Sequence, residues 1–576
     1  QYFICIFLTD NVEKLCRKTD RRAKRRQLVL MEEKSFLQEK NDAKMNAYQF
    51  IKAARIEKGA QDVPWLDYFG NVFKEKDVEE EVAKLAGAMN VHCKDEKYIA
   101  IFGGDFFAEL FIFFATIDSG RILYPSQVDT PIEAVVKGWK ENDVRTIFCL
   151  DTAYEKIKPY TDKGDYQVIP VSHSDYVDNI DGFPERLKKY VDVPKSEELK
   201  KFLLGTEPQV GHKYNDIVTV MSTGGTTTGY PKEIDLTQER LRFMSEAYIN
   251  SGFPVFPGSR VMSDQILPHM TGLFGELIGP LLLGAVIVSQ IFHISDTQLL
   301  DDFRDTRPQV SFTTPVLLRG MVERRDEIID GEFSDMTVIT VGGAKSFQST
   351  MEKFENEIRK PAGIKAPCLV IYGSSECSST MLNLPEKYEL FAPSAGVEVR
   401  LVDEDGAILE DIGAIGYLES YSLHNATKYT NVSEDINRTT FKTDSEGRVW
   451  VCLGDMFEKV GDNIYRCLGR DDKLVAFTKN GVRFRAYDVD SFLMSMNEVQ
   501  EAQTVAVDDK FYSFIILDKL CCKKDDGKQL AYIEEKCKEK FTSPMLPAKI
   551  KIVKSLPRKK IPKRNLSAIV KMVKDM

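Results

Sequence analysis

"MSTGGTTTGYPKEIDLT", residues 221–237, is the stretch on which the reading of this chain turns. Its hydroxyls and glycines, closed by Pro231 and Lys232, make either a phosphate cradle or a plain turn between two strands. Backbone N–H groups in a glycine-rich turn can converge on one anion, while Thr, Ser and Lys side chains add further donors. The P-loop of nucleotide triphosphatases is excluded, because Gly224-x4-Gly229 is followed by Tyr230 where that motif requires lysine.

The surroundings favour an open α/β sheet. From residue 97 the chain alternates apolar runs with amphipathic ones: "KYIAIFGG", "FFAELFIFFATIDSG", "RILYPS", "IEAVVKGWKEN" and "VRTIFCLD". Short β-rich runs separated by helix-length patterns predict βαβ units and a parallel sheet. The rhythm returns in "DIVTVMST", "GELIGPLLLGAVIVS", "VSFTTP", "MTVITVGGA" and "APCLVIYGSS". Several of these end in glycine or hydroxyl turns, the place where such sheets bind ligands. Between about 392 and 470 the pattern shifts to short alternating strands, as in "GVEVRLVDEDGAI" and "GRVWVCLGD", predicting a β-rich subdomain. A mixed block follows and closes on a basic tail, with ten Lys or Arg and one acid, Asp575, from Lys549 to Met576. Such a charge run is first read as a solvated face.

Composition narrows the classes. A chain of 576 residues, 43% hydrophobic and 29% charged, exceeds the roughly 250–300 residues at which one core stops growing, so more than one domain is expected. A net charge of −10 argues against nucleic acid as the partner, since phosphate backbones call for a basic surface. The eleven cysteines contain no C-x-x-C, which indicates neither a disulfide framework nor a zinc site and points to a reducing compartment. No run reaches the roughly 18 apolar residues of a membrane span, so a soluble, cytoplasmic protein is expected. At the amino terminus "YFICIFLT" precedes the basic run "RKTDRRAKRRQ", the reverse of a signal peptide, and residues 1–45 are read as an extension, with Met31 or Met45 as alternative starts.

Five motifs in order carry a resemblance. "TGGTTTGYPKE" is similar to the "TGGTTGxPKG" signature of the adenylate-forming superfamily of acyl- and aryl-CoA synthetases, luciferase and peptide-synthetase adenylation domains. "VGGAKS" resembles its "GGAPL" turn, and "IYGSSECSS" its "YGxTE" motif. "CLGDMFEKVGDNIYRCLGRDDKLV" resembles "TGD" with the later "GRxDDxIK", and "SLPRKKIPKRNL" resembles "LPRTxxGKxxR". The chain is accordingly identified as a member of that superfamily from about residue 95 onward.

The resemblance implies a large amino-terminal α/β domain (46–471) of βαβ-type sheets with the β-rich subdomain, and a small mobile α+β carboxyl-terminal domain (472–576) that swings about Asp472. It implies ATP, Mg²⁺ and coenzyme A as reactants and a carboxylic acid as substrate. The residues carried over for nucleotide are Thr223, Gly224, Gly225, Thr226, Thr227, Thr228, Gly229 and Lys232 on the phosphates, and Gly342, Gly343 and Ala344 along the adenosine. Tyr372 packs on adenine, Gly373, Ser374 and Ser375 form the turn after it, and Asp455 and Arg470 hold the ribose. Glu376 is the Mg²⁺ ligand and Lys563 the catalytic lysine. The chemistry is coherent, because a carboxylate attacking phosphorus sets anion against anion and needs a metal and fixed donors to screen it.

The sequence departs from the pattern in five places. The phosphate loop has an extra Thr, Glu233 replaces its closing Gly, Leu453 stands for Thr, Ala476 for Lys, and Pro562 for the Gly before the catalytic lysine. In "LPHMTGLFG" His269 is displaced by one residue and is either an acyl-pocket residue or a packed histidine. Two functions follow: a ligase that forms an acyl-adenylate and passes it to coenzyme A, or a silent relative that binds nucleotide or acyl ligand as sensor or scaffold. No carrier segment follows the last block, which favours a free-standing ligase. The apolar residues near "QILPHMTGLFG", "VGGAK" and "SSECSSTM" suit a fatty or aryl acid.

Overall fold

The computed structural model describes residues 44–103, 107–128, 130–162, 166–223, 231–263, 267, 269–289, 295, 297–470, 475–477, 483–508, 510–518, 521–522, 525–541, 545–557 and 566–574. Helix Ala47–Glu57 comes first among them, started by Asn46, whose side chain accepts from the Gln49 backbone while Gln49 returns the bond to the Asn46 amide. That reciprocal cap satisfies two amides that a helix start otherwise leaves open. The extension through residue 43 lies outside the described residues.

A six-stranded sheet runs Gln167–Val171, Thr146–Leu150, Tyr98–Gly103, Ile122–Gln127, Ile217–Thr223, Lys232–Thr237. Its first five strands are parallel, and the last turns back antiparallel against Ile217–Thr223. Thr146–Leu150 is buried along its whole length, as expected for a parallel strand covered on both faces. Helix Ala108–Asp118 is buried on every side, and its apolar run at residues 110–115 stands in place of an amphipathic pattern.

The second sheet is where the sequence expectation needed extending. Its parallel half runs Leu66–Tyr68, Val286–Ser289, Arg260–Ser263, Val310–Thr313, Val338–Val341, Leu369–Ser374. Immediately after Ser374 the chain reverses into Ser378–Leu384, and antiparallel strands continue the same sheet through Lys387–Pro393, Ile464–Arg470, Val449–Gly461, Ile415–Tyr421 and Glu398–Val402. The β-rich region therefore starts at Ser378, before residue 392, and is continuous with the parallel strands. Gly373 permits the reversal: a Cβ there would stand 2.0 Å from the Ser378 carbonyl oxygen.

After the second sheet come the ribbon Val475–Phe477 with Arg483–Arg485, helix Ala486–Ser495, and a sheet of Val499–Val507, Lys510–Leu517 and Lys549–Ile552. Helices Asp526–Lys540 and Leu566–Val573 complete this part. It meets the rest of the chain at helix Pro315–Glu323, where the buried Arg319 and Glu501 pair at 3.1 Å, and at Phe347, whose ring stacks 6.0 Å from Tyr487. Among the described residues, no helix is long and apolar enough to cross a membrane.

Candidate active site

Strand pairing decides where the expected residues meet. Thr223 and Lys232 are paired at the end of the antiparallel strands Ile217–Thr223 and Lys232–Thr237 that the glycine-rich segment connects. Gly224, Gly225, Thr226, Thr227, Thr228 and Gly229 lie outside the described residues. The Lys232 ammonium stands 4.6 Å from the centre of the Tyr429 ring, within cation–π range.

Glu233, the residue in place of the usual glycine, is buried, and its carboxylate accepts a hydrogen bond from the Tyr124 hydroxyl. Burial pushes its pKa up, against the lowering effect of hydrogen bonds from Tyr124 and Asn142. Gly138 makes the space, since a Cβ there would fall 2.2 Å from the Tyr124 hydroxyl oxygen. A cavity of about 380 Å³ opens alongside, lined by Lys137, Glu141, Asn142, Lys232 and Asn431 among others.

On the second sheet the Val338–Val341 strand ends in the expected turn. Gly342 donates to the Thr313 carbonyl at 2.9 Å, Gly343 adopts a left-handed φ of 75°, and Ala344 follows. Lys345 comes next, with its ammonium 3.2 Å from the centre of the Tyr487 ring and lowered in pKa by burial. The neighbouring strand delivers Tyr372, whose hydroxyl donates to Asp455 Oδ2 at 2.8 Å and whose ring meets Phe457 edge-on at 5.0 Å. Burial, and then the Asp455 charge, raise the phenol pKa far above its ordinary value. Asp455 in turn lies opposite Arg470 in the ladder between Val449–Gly461 and Ile464–Arg470. The structure thus gathers Tyr372, Asp455 and the Arg470 backbone at one place.

Ser374 shapes the reversal by accepting from the amides of Glu376 at 3.1 Å and Cys377 at 3.3 Å. Arg240, on helix Gln238–Asn250, grips the same turn: it donates to the carbonyls of Ser375 at 2.5 Å, Glu376 at 3.3 Å and His424 at 2.7 Å. Burial lowers its pKa to about 10. Glu376 is thereby held with one oxygen committed, Oε1 accepting from the Tyr429 hydroxyl at 2.7 Å, while the described residues give Oε2 no hydrogen bond.

This arrangement fits Mg²⁺. Among the described residues no three His, Cys, Asp or Glu cluster to form a protein cage, and Mg²⁺ is commonly held by one or two carboxylates together with substrate phosphates. His269 stands with Nε2 2.9 Å from Gln127 Nε2, just before the π-helix Thr271–Ile278. Asp472 and Lys563 lie outside the described residues, as does the Arg470 side chain. Arg240 and Tyr429 carry no local sequence signal, since their partners lie 135 and 53 residues away.

The sequence profile of the AMP-binding enzymes matches residues 69–429, and the chain belongs to this family. A benzoate–CoA ligase of Thauera aromatica is 25% identical over 302 residues, which are 50% of this chain and 54% of that protein. An anthranilate–CoA ligase of Pseudomonas aeruginosa is 25% identical over 342 residues, 58% of this chain and 62% of the relative. In sequence the chain thus spans less than two thirds of the curated relatives it matches. A benzoate CoA ligase structure from Burkholderia xenovorans superposes with a TM-score of 0.74 at 18% identity, covering 91% of this chain and 99% of that one, and shares the fold.

Proposed function

We propose that this chain activates a carboxylic acid with ATP as its acyl-adenylate and transfers the acyl group to coenzyme A. The observation that carries the reading is the convergence, around the strand Leu369–Ser374, of Glu376, one of whose oxygens no described residue bonds, and Asp455 held by Tyr372. The relatives named for benzoate and anthranilate support an aryl acid over a fatty one.

In this reading Asp455 fixes the ribose, because one carboxylate can accept from two vicinal hydroxyls and so place the α-phosphorus. The Gly342–Ala344 turn borders the adenosine, and Lys232 with the turn it closes receives the leaving pyrophosphate. Glu376 would hold Mg²⁺, which when bound screens the phosphate oxygens from the incoming carboxylate. Lys563 steadies the charge that develops around the α-phosphorus as the adenylyl group is transferred and pyrophosphate leaves. Residues 46–471 would form the nucleotide domain and 472–576 the swinging one. The acyl pocket would lie near His269, the Val341–Lys345 turn and Ser374–Met381.

The test is acid-dependent ATP–pyrophosphate exchange over a panel of aryl and fatty acids, repeated with coenzyme A to detect thioesters. Exchange with benzoate-like acids is expected. ATP binding without exchange across the panel would favour a silent relative, the alternative that Glu233 and the lengthened loop raise.

A further inference from the structure

Tyr429 sits between two parts of the site that are far apart in sequence. Its hydroxyl donates to Glu376 Oε1 at 2.7 Å, and its ring lies under the Lys232 ammonium at 4.6 Å. The ring packs on Phe441, with centroids 5.0 Å apart, and the residue is buried.

Its backbone is fixed as firmly as its side chain. Asn437 accepts from the Tyr429 amide at 2.8 Å and donates to its carbonyl at 3.1 Å. The next two residues are tied to the strand that leaves the phosphate turn: Thr430 donates to the Glu233 carbonyl at 2.9 Å, and the Asn431 side chain takes the Glu233 amide at 2.9 Å and donates to the Pro231 carbonyl at 3.0 Å. On the other side the Ala426 amide donates to the Glu376 carbonyl at 2.7 Å. The segment 426–431 therefore bridges the acid turn and the exit of the phosphate turn, and Tyr429 is its one side chain shown bonded to the Glu376 carboxylate.

A glutamate beyond a strand end rotates about three side-chain bonds and presents either oxygen outward. The phenol removes that freedom by engaging Oε1, which leaves Oε2 without a hydrogen bond from the described residues. Prepaying this ordering raises affinity for the cation without any contact to it. We infer that Tyr429 is a positioning residue that aims the Glu376 carboxylate at the divalent cation of the nucleotide and couples that aim to the phosphate turn through Lys232 and Asn431. The inference rests on the ATP-dependent reading above and concerns a residue that acts through Glu376.

Tyr429→Phe tests it, since it removes one oxygen and keeps the ring beneath Lys232. Nucleotide binding is measured by calorimetry with Mg²⁺ and with excess EDTA, and Mn²⁺ binding in the presence of ATP by electron paramagnetic resonance. Loss of one hydrogen bond to a charged group should raise the half-saturating Mn²⁺ concentration about tenfold, leave ATP affinity in EDTA unchanged, and leave the melting temperature near that of the parent. In a Glu376→Gln background the same substitution should have no further effect on Mn²⁺, because the two residues act as one unit. An unchanged Mn²⁺ titration overturns the inference. So does an equal weakening with and without metal, including one caused by misfolding, or an undiminished effect in the Glu376→Gln background. Wild-type protein that binds no ATP under either condition overturns the functional reading itself, and with it this inference, and is recognised by that control.

Discussion

The Tyr372 hydroxyl donates to Asp455 Oδ2 at 2.8 Å, joining the aromatic expected beside the adenine to the carboxylate expected on the ribose. The contact spans 83 residues and crosses from the last parallel strand to an antiparallel one. It commits one carboxylate oxygen to the phenol and fixes the orientation of the carboxylate.

Asp455→Ala should therefore weaken ATP binding by about 2–4 kcal/mol if the carboxylate meets the ribose, through loss of charge-assisted hydrogen bonds. Tyr372→Phe keeps the ring and removes only the orienting bond, so about 1 kcal/mol is expected. Calorimetry with ATP checks both. An Asp455→Ala protein that melts earlier yet binds ATP as tightly as the parent would reduce Asp455 to a turn residue.

Glu233 gives a pH signature. Its folded-state pKa is raised by burial, so folding favours the protonated form. The stabilisation is complete below the ordinary glutamate pKa and is lost as pH rises through the higher folded value. Glu233→Gln retains a neutral acceptor for the Tyr124 hydroxyl without the ionisation. Its melting temperature should fall less than that of the parent as pH rises through and above the ordinary glutamate range, and parallel curves would remove Glu233 as the source.

Arg240 supports the acid turn from within the core. Arg240→Met deletes the donors to the Ser375, Glu376 and His424 carbonyls and should destabilise the protein by about 2–4 kcal/mol, read from denaturant unfolding. Arg240→Lys keeps the charge but not the fork, and should recover only part of that loss. A neutral Arg240→Met would mean that backbone pairing alone holds the turn.

What could be read in advance divides along sequence distance. Tyr372, Glu376 and Asp455 stand in short motifs that resemble the family's, so they could be picked out as candidates from the residues next to them, and the alternating apolar runs announced the parallel strands. Tyr429 and Arg240 act across 53 and 135 residues, so nothing adjacent to either marks them until strand pairing brings the partners together. Glu233 was visible as a departure, but its meaning needed Tyr124, which is 109 residues away. The antiparallel extension from Ser378 was hidden for a related reason, since alternation reveals a strand but not the sheet it joins.

Lys563 and Asp472 carry the last prediction, which rests on the sequence motifs and on the chemistry of two successive steps. Adenylation builds negative charge around the α-phosphorus, and an ammonium placed there lowers that barrier specifically. Thiolate attack on a finished adenylate needs no such cation. Lys563→Ala should therefore abolish adenylate formation from acid and ATP while still converting a supplied acyl-adenylate to its coenzyme A thioester. Asp472→Pro should do the reverse, because fixing φ at a hinge hinders the swing between the two arrangements. Lys559 and Lys560 serve as controls, being expected to carry only solvated charge. Half-reaction assays with radiolabelled ATP and with synthetic acyl-adenylate separate the outcomes. Should Lys560→Ala be inert and Lys563→Ala active, the catalytic lysine is Lys560, and the alignment across Pro562 shifts by three residues.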